Sequence, residues 1–205
     1  MLLVGASACT QSTYKFLANG AEGVSLRVPR GWATFTVPTG AEGRLSPDSP
    51  GDVKLLWSVG FDASPTPDIQ HLAAVDNYGQ KTVDHPVGVI AVYQVQGTYN
   101  QKLSLTEVRA APLGVDPMFV SDNVKSLVEI ISYEPAKRRD GLQGSHVVFN
   151  LRSTDSAPWS TYDMRTFFDQ GHYRMYTLII GCLGPCFKQN QNRISSISAS
   201  WRIQP

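Results

Sequence analysis

The sequence lacks a charge excess of either sign and, after residue 9, any long apolar run. Lysine and arginine number 18 against 17 acidic residues, so no net field is available to recruit nucleic acid or an anionic surface. No stretch after residue 9 approaches the about 20 apolar residues that a membrane-spanning helix needs. The basic cluster 137–139 is followed by Asp140-Gly141, which is typical of a solvated turn. We therefore predict no nucleic-acid partner and no transmembrane helix in this part.

Motifs of catalysis and cofactor binding are also lacking. The sequence contains no G-x-S-x-G nucleophile, no P-loop and no Rossmann glycine pattern. Its four histidines are far apart in sequence and form no H-E-x-x-H or H-x-H pair; they are His71, His85, His146 and His172. We therefore predict no catalytic residue, no cofactor and no metal site, and expect a protein that is not an enzyme.

Three polar features are assigned structural roles. Asp84-His85 precedes a proline at the start of a predicted strand, where a turn is favoured over an acid-oriented base. His146 lies on the polar phase of its strand and is expected to face solvent. Asp163 and Arg165 share one strand face, which predicts a surface ion pair worth less than about 1 kcal/mol.

The N-terminus resembles the end of an export signal. An apolar run and small residues lead to Cys9 and then to polar residues from Thr10 onward. This order resembles the lipobox of bacterial lipoproteins, whose cysteine receives a diacylglyceryl group. Ala6 stands where leucine is usual, and the short apolar run predicts a translation start about ten residues upstream. We predict a residual signal and lipobox over 1–9; an ordinary apolar terminus with a free Cys9 thiol is the alternative.

Cysteine is scarce, with three residues in the chain. If Cys9 is lipidated, Cys182 and Cys186 remain as an even pair, and an oxidising compartment favours a short-loop disulfide between them. A zinc site needs more ligands than the neighbouring sequence provides. A redox pair stays open, although such pairs usually have a two-residue spacer rather than three.

The rest of the chain predicts a flexible tether over 10–22, because polar residues and glycine are frequent there, and a single domain over 23–205. Alternating or β-branched runs predict strands over 24–28, 54–61 and 86–95. We also predict a loop over 39–52, a helix N-cap at Asp68 and a helix over 104–111. Four further strands with short turns between them predict an antiparallel meander at 127–133, 145–152, 160–169 and 172–180.

The chain closes with an amphipathic helix. Apolar residues three, four or seven apart predict one buried face that covers the sheet; they are Phe187, Ile194, Ile197 and Trp201. The sequence thus predicts an α+β fold, an antiparallel meander with this helix packed on it. The expected aromatic core residues are Tyr162, Phe168, Tyr173 and Trp201.

A family resemblance rests on the opening Val24–Trp32, which ends in Pro-Arg-Gly-Trp, the turn at Asp140-Gly141 before a long hairpin, and the closing Ile194–Ile203. These features resemble the Mog1/PsbP-like fold and, with Cys9, the LpqN-type lipoproteins of actinobacteria. The resemblance implies an α/β/α sandwich with a binding or assembly role. We expect an exported protein, lipid-anchored at the outer face of the cell membrane or in the envelope, with a protein or a cell-wall or lipid ligand. An envelope hydrolase or thiol redox protein is the alternative.

Overall fold

The computed structural model describes residues 13–36, 53–75, 82–95, 104–110, 112–113, 116–122 and 124–204. Its strands are β1 Tyr14–Asn19, β2 Val24–Pro29, β3 Ala33–Thr36, β4 Val53–Asp62, β5 Val87–Val95, β6 Val128–Lys137, β7 Gln143–Leu151, β8 Ser160–Phe168, β9 Arg174–Leu183 and β10 Arg202–Ile203. Its α-helices are α1 Leu105–Ala110 and α2 Gly184–Ala199, and short 3₁₀ helices cover Ile69–Ala74 and Lys125–Leu127.

Two antiparallel sheets contain these strands. Seven strands form the large sheet in the order β3-β4-β5-β9-β8-β7-β6, and three form a small sheet in the order β1-β2-β10. The meander predicted for the last four long strands is confirmed, because β6, β7, β8 and β9 are neighbours in chain order. Their turns are too short for a crossover, so each strand folds back on the one before it.

The large sheet is covered on both faces, as the side chains of β8 show. Arg165 Nε donates to Ser198 Oγ of α2 at 2.6 Å, whereas the Tyr162 hydroxyl donates to the Ala74 carbonyl of the first 3₁₀ helix at 2.9 Å. Residues 162 and 165 point to opposite faces because strand side chains alternate. Helix α2 and the 3₁₀ helix therefore flank the sheet, and the predicted sandwich is confirmed.

Aromatic pairs fill the core on both sides of the sheet. Trp32, the last residue of the opening motif, stacks on Phe61 with ring centres 5.9 Å apart, and Phe149 stacks on Tyr162 at 5.3 Å. Tyr162, Phe168 and Trp201 are buried, as the sequence predicts. Tyr173 is 60% exposed, so that prediction was wrong; the residue lies in the β8–β9 turn and not within a strand.

The N-terminal boundary of the domain also differs from the prediction. Strand β1 lies inside the segment assigned to a tether, pairs with β2 from Tyr14 to Asn19 and buries Leu17. The polar composition around this short strand concealed it. The ordered domain therefore begins before Gly23. Cys9 and the loop predicted over 39–52 lie outside the described residues. Within the described ranges, no helix has the length and apolar character to cross a membrane.

Candidate functional site

A buried carboxylate stands at the end of β4, where the chain leaves the large sheet. The Asp62 side chain is fully buried. Its Oδ1 accepts the Ser64 amide at 2.7 Å, and its Oδ2 accepts the Asp68 amide at 3.1 Å. These two bonds hold the loop after β4 closed around the carboxylate, and two prolines within that loop restrict its backbone further.

The first 3₁₀ helix brings a histidine to this carboxylate. Asp68 caps the helix, since its Oδ1 accepts the Gln70 amide at 2.8 Å, which confirms the predicted N-cap. His71 Nδ1 then lies 2.8 Å from Asp62 Oδ2. Leu72 packs directly over Gly60, where an added Cβ would lie 2.1 Å from Leu72 Cδ1. The missing side chain of Gly60 thus allows the helix to approach the sheet closely.

A second histidine reaches the same carboxylate from the start of β5. His85 Nε2 lies 3.3 Å from Asp62 Oδ1, and the His71 and His85 ring centres are 4.8 Å apart. On its other side, His85 Nδ1 lies 2.9 Å from Asp84 Oδ1. This hydrogen bond from His85 holds the pKa of the Asp84 carboxyl below its ordinary value. Asp84-His85 therefore has a role besides the turn predicted for it.

We call Asp62, His71 and His85 the Asp62 cluster. One ligand atom from each residue can be chosen so that all three lie within 4.8 Å of one another. The sequence did not predict this convergence, because the residues share no motif and come from three different segments. A capping aspartate at 68 and a proline at 86 were visible signals of ordered loops, but neither says that the loops meet.

A second polar cluster lies between β7, β8 and α2. His146 Nε2 lies 3.1 Å from Asp163 Oδ1, and the Ser198 hydroxyl donates to the same oxygen at 2.9 Å. The side chains of His146 and Asp163, which were expected at the surface, are thus mostly buried. Arg165 contacts Ser198 rather than Asp163. The predictions of a solvent-facing His146 and a surface Asp163–Arg165 pair were wrong, because α2 covers this face of the sheet.

The second cluster does not have the order of contacts of a catalytic triad. In a triad, histidine accepts the serine proton and the acid orients the histidine. Here Asp163 lies between Ser198 and His146, and the serine donates to the acid. Beside it, Arg138, Arg165 and Arg202 line a cavity of about 250 Å³ together with Trp201. Arg138 also donates to the Ile203 carbonyl at 3.0 Å, so this residue of the basic turn has a structural contact.

Comparison with known proteins gives a likeness of fold. No protein-family model matches the sequence, and no curated protein does. The chain is similar to the PsbP protein CyanoP of Synechocystis sp., at 11% identity and a TM-score of 0.51 over 98% of this chain and 99% of that one. It is also similar to LpqN of Mycobacterium tuberculosis, at 14% identity and a TM-score of 0.51 over 94% and 91%.

The chain has the Mog1/PsbP-like fold. The Ran-binding protein Mog1p of Saccharomyces cerevisiae is a more distant match, at 6% identity and a TM-score of 0.44 over 93% of this chain and 95% of that one.

Within this PsbP-like fold, a disulfide joins the last long strand to the closing helix. Cys182 of β9 is bonded to Cys186 of α2, with Cα atoms 6.0 Å apart. Both residues are buried, and the Asn190 side chain donates to the Cys186 carbonyl at 3.0 Å. The structure thus contains the short-loop disulfide predicted for an oxidising compartment, at the corner where the chain turns from sheet to helix.

Proposed function

We propose that this chain is an exported binding or assembly module of a bacterial cell envelope, lipid-anchored at Cys9, and not an enzyme. The observation that carries the proposal is the fold likeness to LpqN along 94% of this chain. LpqN is involved in cell envelope biogenesis in Mycobacterium tuberculosis. The lipobox-like sequence before Cys9 supports the same location.

The disulfide supports an address outside the cytoplasm. The Cys182–Cys186 bond leaves no thiol among the described residues. Disulfides persist in oxidising compartments and are rare where glutathione and thioredoxin keep thiols reduced. A buried pair at a strand–helix corner is suited to a structural bond, which agrees with a binding module.

The outer edge of the large sheet is the surface that we assign to assembly. Strand β6 has β7 as its neighbour on one side and is the last strand of the described sheet. We call its exposed apolar residues and the nearby Phe119 the β6 patch; the members are Phe119, Ile130, Ile131 and Tyr133. An edge strand with exposed apolar residues offers backbone groups and contact area to a partner strand.

Arg109 fixes the two aromatic members of the β6 patch relative to each other. Its guanidinium carbon lies 5.8 Å from the ring centres of Phe119 and Tyr133. Asp116 holds that guanidinium through two bonds, of 2.8 and 2.7 Å. Phe119 is nevertheless 71% exposed. A preorganised aromatic surface of this kind suits protein recognition, because little side-chain freedom is lost on contact.

The lipid anchor is tested by expressing an upstream-extended form of the gene in an actinobacterial host. We expect a diacylglyceryl mass on Cys9 and recovery of the protein in the membrane fraction. A Cys9→Ala variant is the control and should lose both the lipid mass and the membrane recovery. An unmodified wild-type chain in the cytoplasm would overturn the proposal.

The assembly surface is tested in the same cells with a photo-reactive amino acid in place of Ile131. We expect light-dependent adducts to an envelope component from this position. The matched control places the same amino acid at Asp155, which is exposed on the β7–β8 turn, and should give no such adduct. Equal adducts from both positions, or none from position 131, would contradict a role for the β6 patch.

A further inference from the structure

The Asp62 cluster has the composition of a metal centre. Asp62 ends β4, His71 lies in the first 3₁₀ helix, and His85 precedes β5. Two imidazoles and one carboxylate are a common ligand set for divalent first-row transition metals. We propose that these three residues bind such an ion, with Zn²⁺ as the favoured one. This site is independent of the export and assembly proposed above.

The first argument is the charge of Asp62. Its carboxylate is fully buried, and a buried charge is costly unless an opposite charge or several hydrogen bonds compensate it. Among the described residues, the ion-pair partners of Asp62 are His71 and His85, and no lysine or arginine forms an ion pair with it. The Ser64 and Asp68 amides compensate part of the charge, and a divalent cation would supply the rest at the point where both histidines meet the carboxylate.

The second argument is the unpartnered nitrogen of His85. Its Nδ1 is engaged by Asp84 at 2.9 Å, which places the proton of a neutral ring on Nδ1 and the lone pair on Nε2. That Nε2 is buried, makes no hydrogen bond within the described chain and lies 3.3 Å from Asp62 Oδ1. A lone pair and a carboxylate oxygen facing each other in a buried place repel unless a proton or a metal ion lies between them. Because Nε2 does not have the geometry of a hydrogen bond to Asp62, we favour the metal ion.

The third argument is the pattern of support around His85. Metal-binding histidines usually donate their second ring N–H to a carboxylate, which fixes the tautomer and raises the basicity of the ligand nitrogen. Asp84 has this position. Its side chain is 88% exposed, so it contributes to the cluster through His85 and has no other packing role. The carboxylate of Asp62 is in turn oriented by the Ser64 and Asp68 amides.

The two distances between the histidines and the carboxylate are close to those around a small ion, and ligand atoms taken one from each residue lie within 4.8 Å of one another. Ligand atoms about 2.0 Å from zinc in tetrahedral geometry are about 3.3 Å apart, and His85 Nε2 lies 3.3 Å from Asp62 Oδ1. His71 Nδ1 lies at hydrogen-bond distance from Asp62 Oδ2, 2.8 Å. Zinc therefore has to displace the proton between them, and His71 has to retreat by about 0.5 Å to reach the same spacing. His71 is 22% exposed, which leaves its ring room to move and gives a water molecule access as fourth ligand.

The nitrogen donors decide the class of ion. Ca²⁺ and Mg²⁺ select sites built from oxygen ligands, whereas imidazole suits zinc, copper and nickel. Zinc accepts the tetrahedral arrangement that three protein ligands and one water provide. A zinc ion held by three protein ligands keeps its fourth position open to water or to another exchangeable ligand.

The test measures binding of zinc to the tag-free, metal-stripped full chain by equilibrium dialysis. We expect one Zn²⁺ per chain, and a Co²⁺-loaded protein with the visible absorption of a four-coordinate ion. His71→Gln and His85→Gln should each weaken zinc binding at least 10-fold. His146→Gln is the matched control, because this histidine also contacts a buried aspartate, and it should bind zinc as the wild type does. The proposal would be overturned if the wild type bound no stoichiometric zinc, or if His71→Gln and His85→Gln bound zinc as tightly as the wild type does.

A second variant keeps the test decisive if the histidine variants do not fold. Asp84→Asn leaves all three ligands in place and changes an exposed residue. We expect it to weaken zinc binding about 10- to 100-fold while one ion per chain is still bound at saturation. Unchanged affinity in Asp84→Asn would contradict the assigned support of His85. The melting temperature of each metal-free variant, measured first, shows whether it is folded.

Discussion

Two tyrosines illustrate how burial changes the chemistry of single residues. Burial raises the pKa of Tyr162 to about 12, and it is the main reason that the pKa of Tyr176 also rises to about 12. Tyr162 additionally donates to the Ala74 carbonyl at 2.9 Å. Its hydroxyl therefore stays protonated while it holds the 3₁₀ helix of the Asp62 cluster against the sheet.

These shifts predict a loss of stability in alkaline solution. The ordinary pKa of both tyrosines is 10.0, so an unfolded chain releases these protons earlier than the folded chain does as pH rises. The free energy of unfolding should therefore be fully retained below pH 10 and fall between pH 10 and about 12. For Tyr162 the loss is on the order of 2 kcal/mol. Urea unfolding across this range, with absorbance at about 295 nm for phenolate, measures it.

The matched variants for this prediction are Tyr162→Phe and Tyr173→Phe. Tyr162→Phe should flatten the alkaline decline and, at neutral pH, destabilise the fold by about 1–2 kcal/mol, because the buried Ala74 carbonyl loses its donor. Tyr173 is exposed, and its variant should leave the profile as in the wild type. An unchanged decline in Tyr162→Phe would contradict the assignment.

At the scale of elements, one glycine lies where β2 meets β10 in the small sheet. Gly23 has a φ of 63°, and a Cβ there would lie 1.9 Å from the Gln204 carbonyl oxygen. The Gly23 carbonyl accepts the Gln204 amide at 2.7 Å. The Gly23→Ala variant should lose more than about 1 kcal/mol of unfolding free energy, since both the backbone angle and the contact oppose a side chain. Thermal unfolding and hydrogen exchange of the Gln204 amide measure this.

Gly31→Ala is the control for the glycine prediction. An added Cβ at Gly31 meets nothing within 4 Å, and its φ is outside the left-handed region. The variant should unfold close to the wild-type temperature, with the Gln204 amide still protected. Equal destabilisation by the two substitutions would mean that the β2–β10 junction is not specifically affected.

The corner between β9 and α2 allows a test of the redox alternative. Replacing Cys182 and Cys186 together by serine should lower the unfolding free energy by about 2 kcal/mol, as loop-closure entropy predicts for so short a loop. Both sulfurs are buried and engaged in the disulfide, so neither residue should react with a thiol reagent, folded or unfolded, until a reductant is added. Reversible oxidation and reduction of the folded protein in a glutathione buffer would instead favour the thiol redox protein.

Considered as a whole molecule, the fold was predictable where local patterns determine it. The meander from β6 to β9 follows from four strand-like runs separated by short turns. Helix α2 follows from its apolar face, although Trp201, predicted on that face, lies beyond the helix end at Ala199. The Asp62 cluster was not predictable, because it depends on Gly60 letting Leu72 approach and on a loop bond between Ala63 and Pro86 of 2.9 Å. Such meetings of distant segments leave no periodic signal in the sequence.

The N-terminal boundary was missed for the same reason, because the pairing of β1 with β2 leaves little periodic signal in the sequence. We predict that β1 contributes measurably to the stability of the whole domain. A chain that begins at Gly23 lacks β1 and leaves β2 with β10 as its described neighbour. We expect it to unfold at a free energy at least about 2 kcal/mol below that of a chain that begins at Thr10, because Leu17 is buried in the main core.

Two point variants separate this packing effect from chain length. Leu17→Ala should cost about 2 kcal/mol or more, whereas Phe16→Ala, on the exposed face of the same strand, should cost little. Urea unfolding of the four chains measures all of these differences. If the chain from Gly23 were as stable as the chain from Thr10, β1 would contribute nothing to the domain, and the segment before Gly23 would act as the tether that its composition suggests.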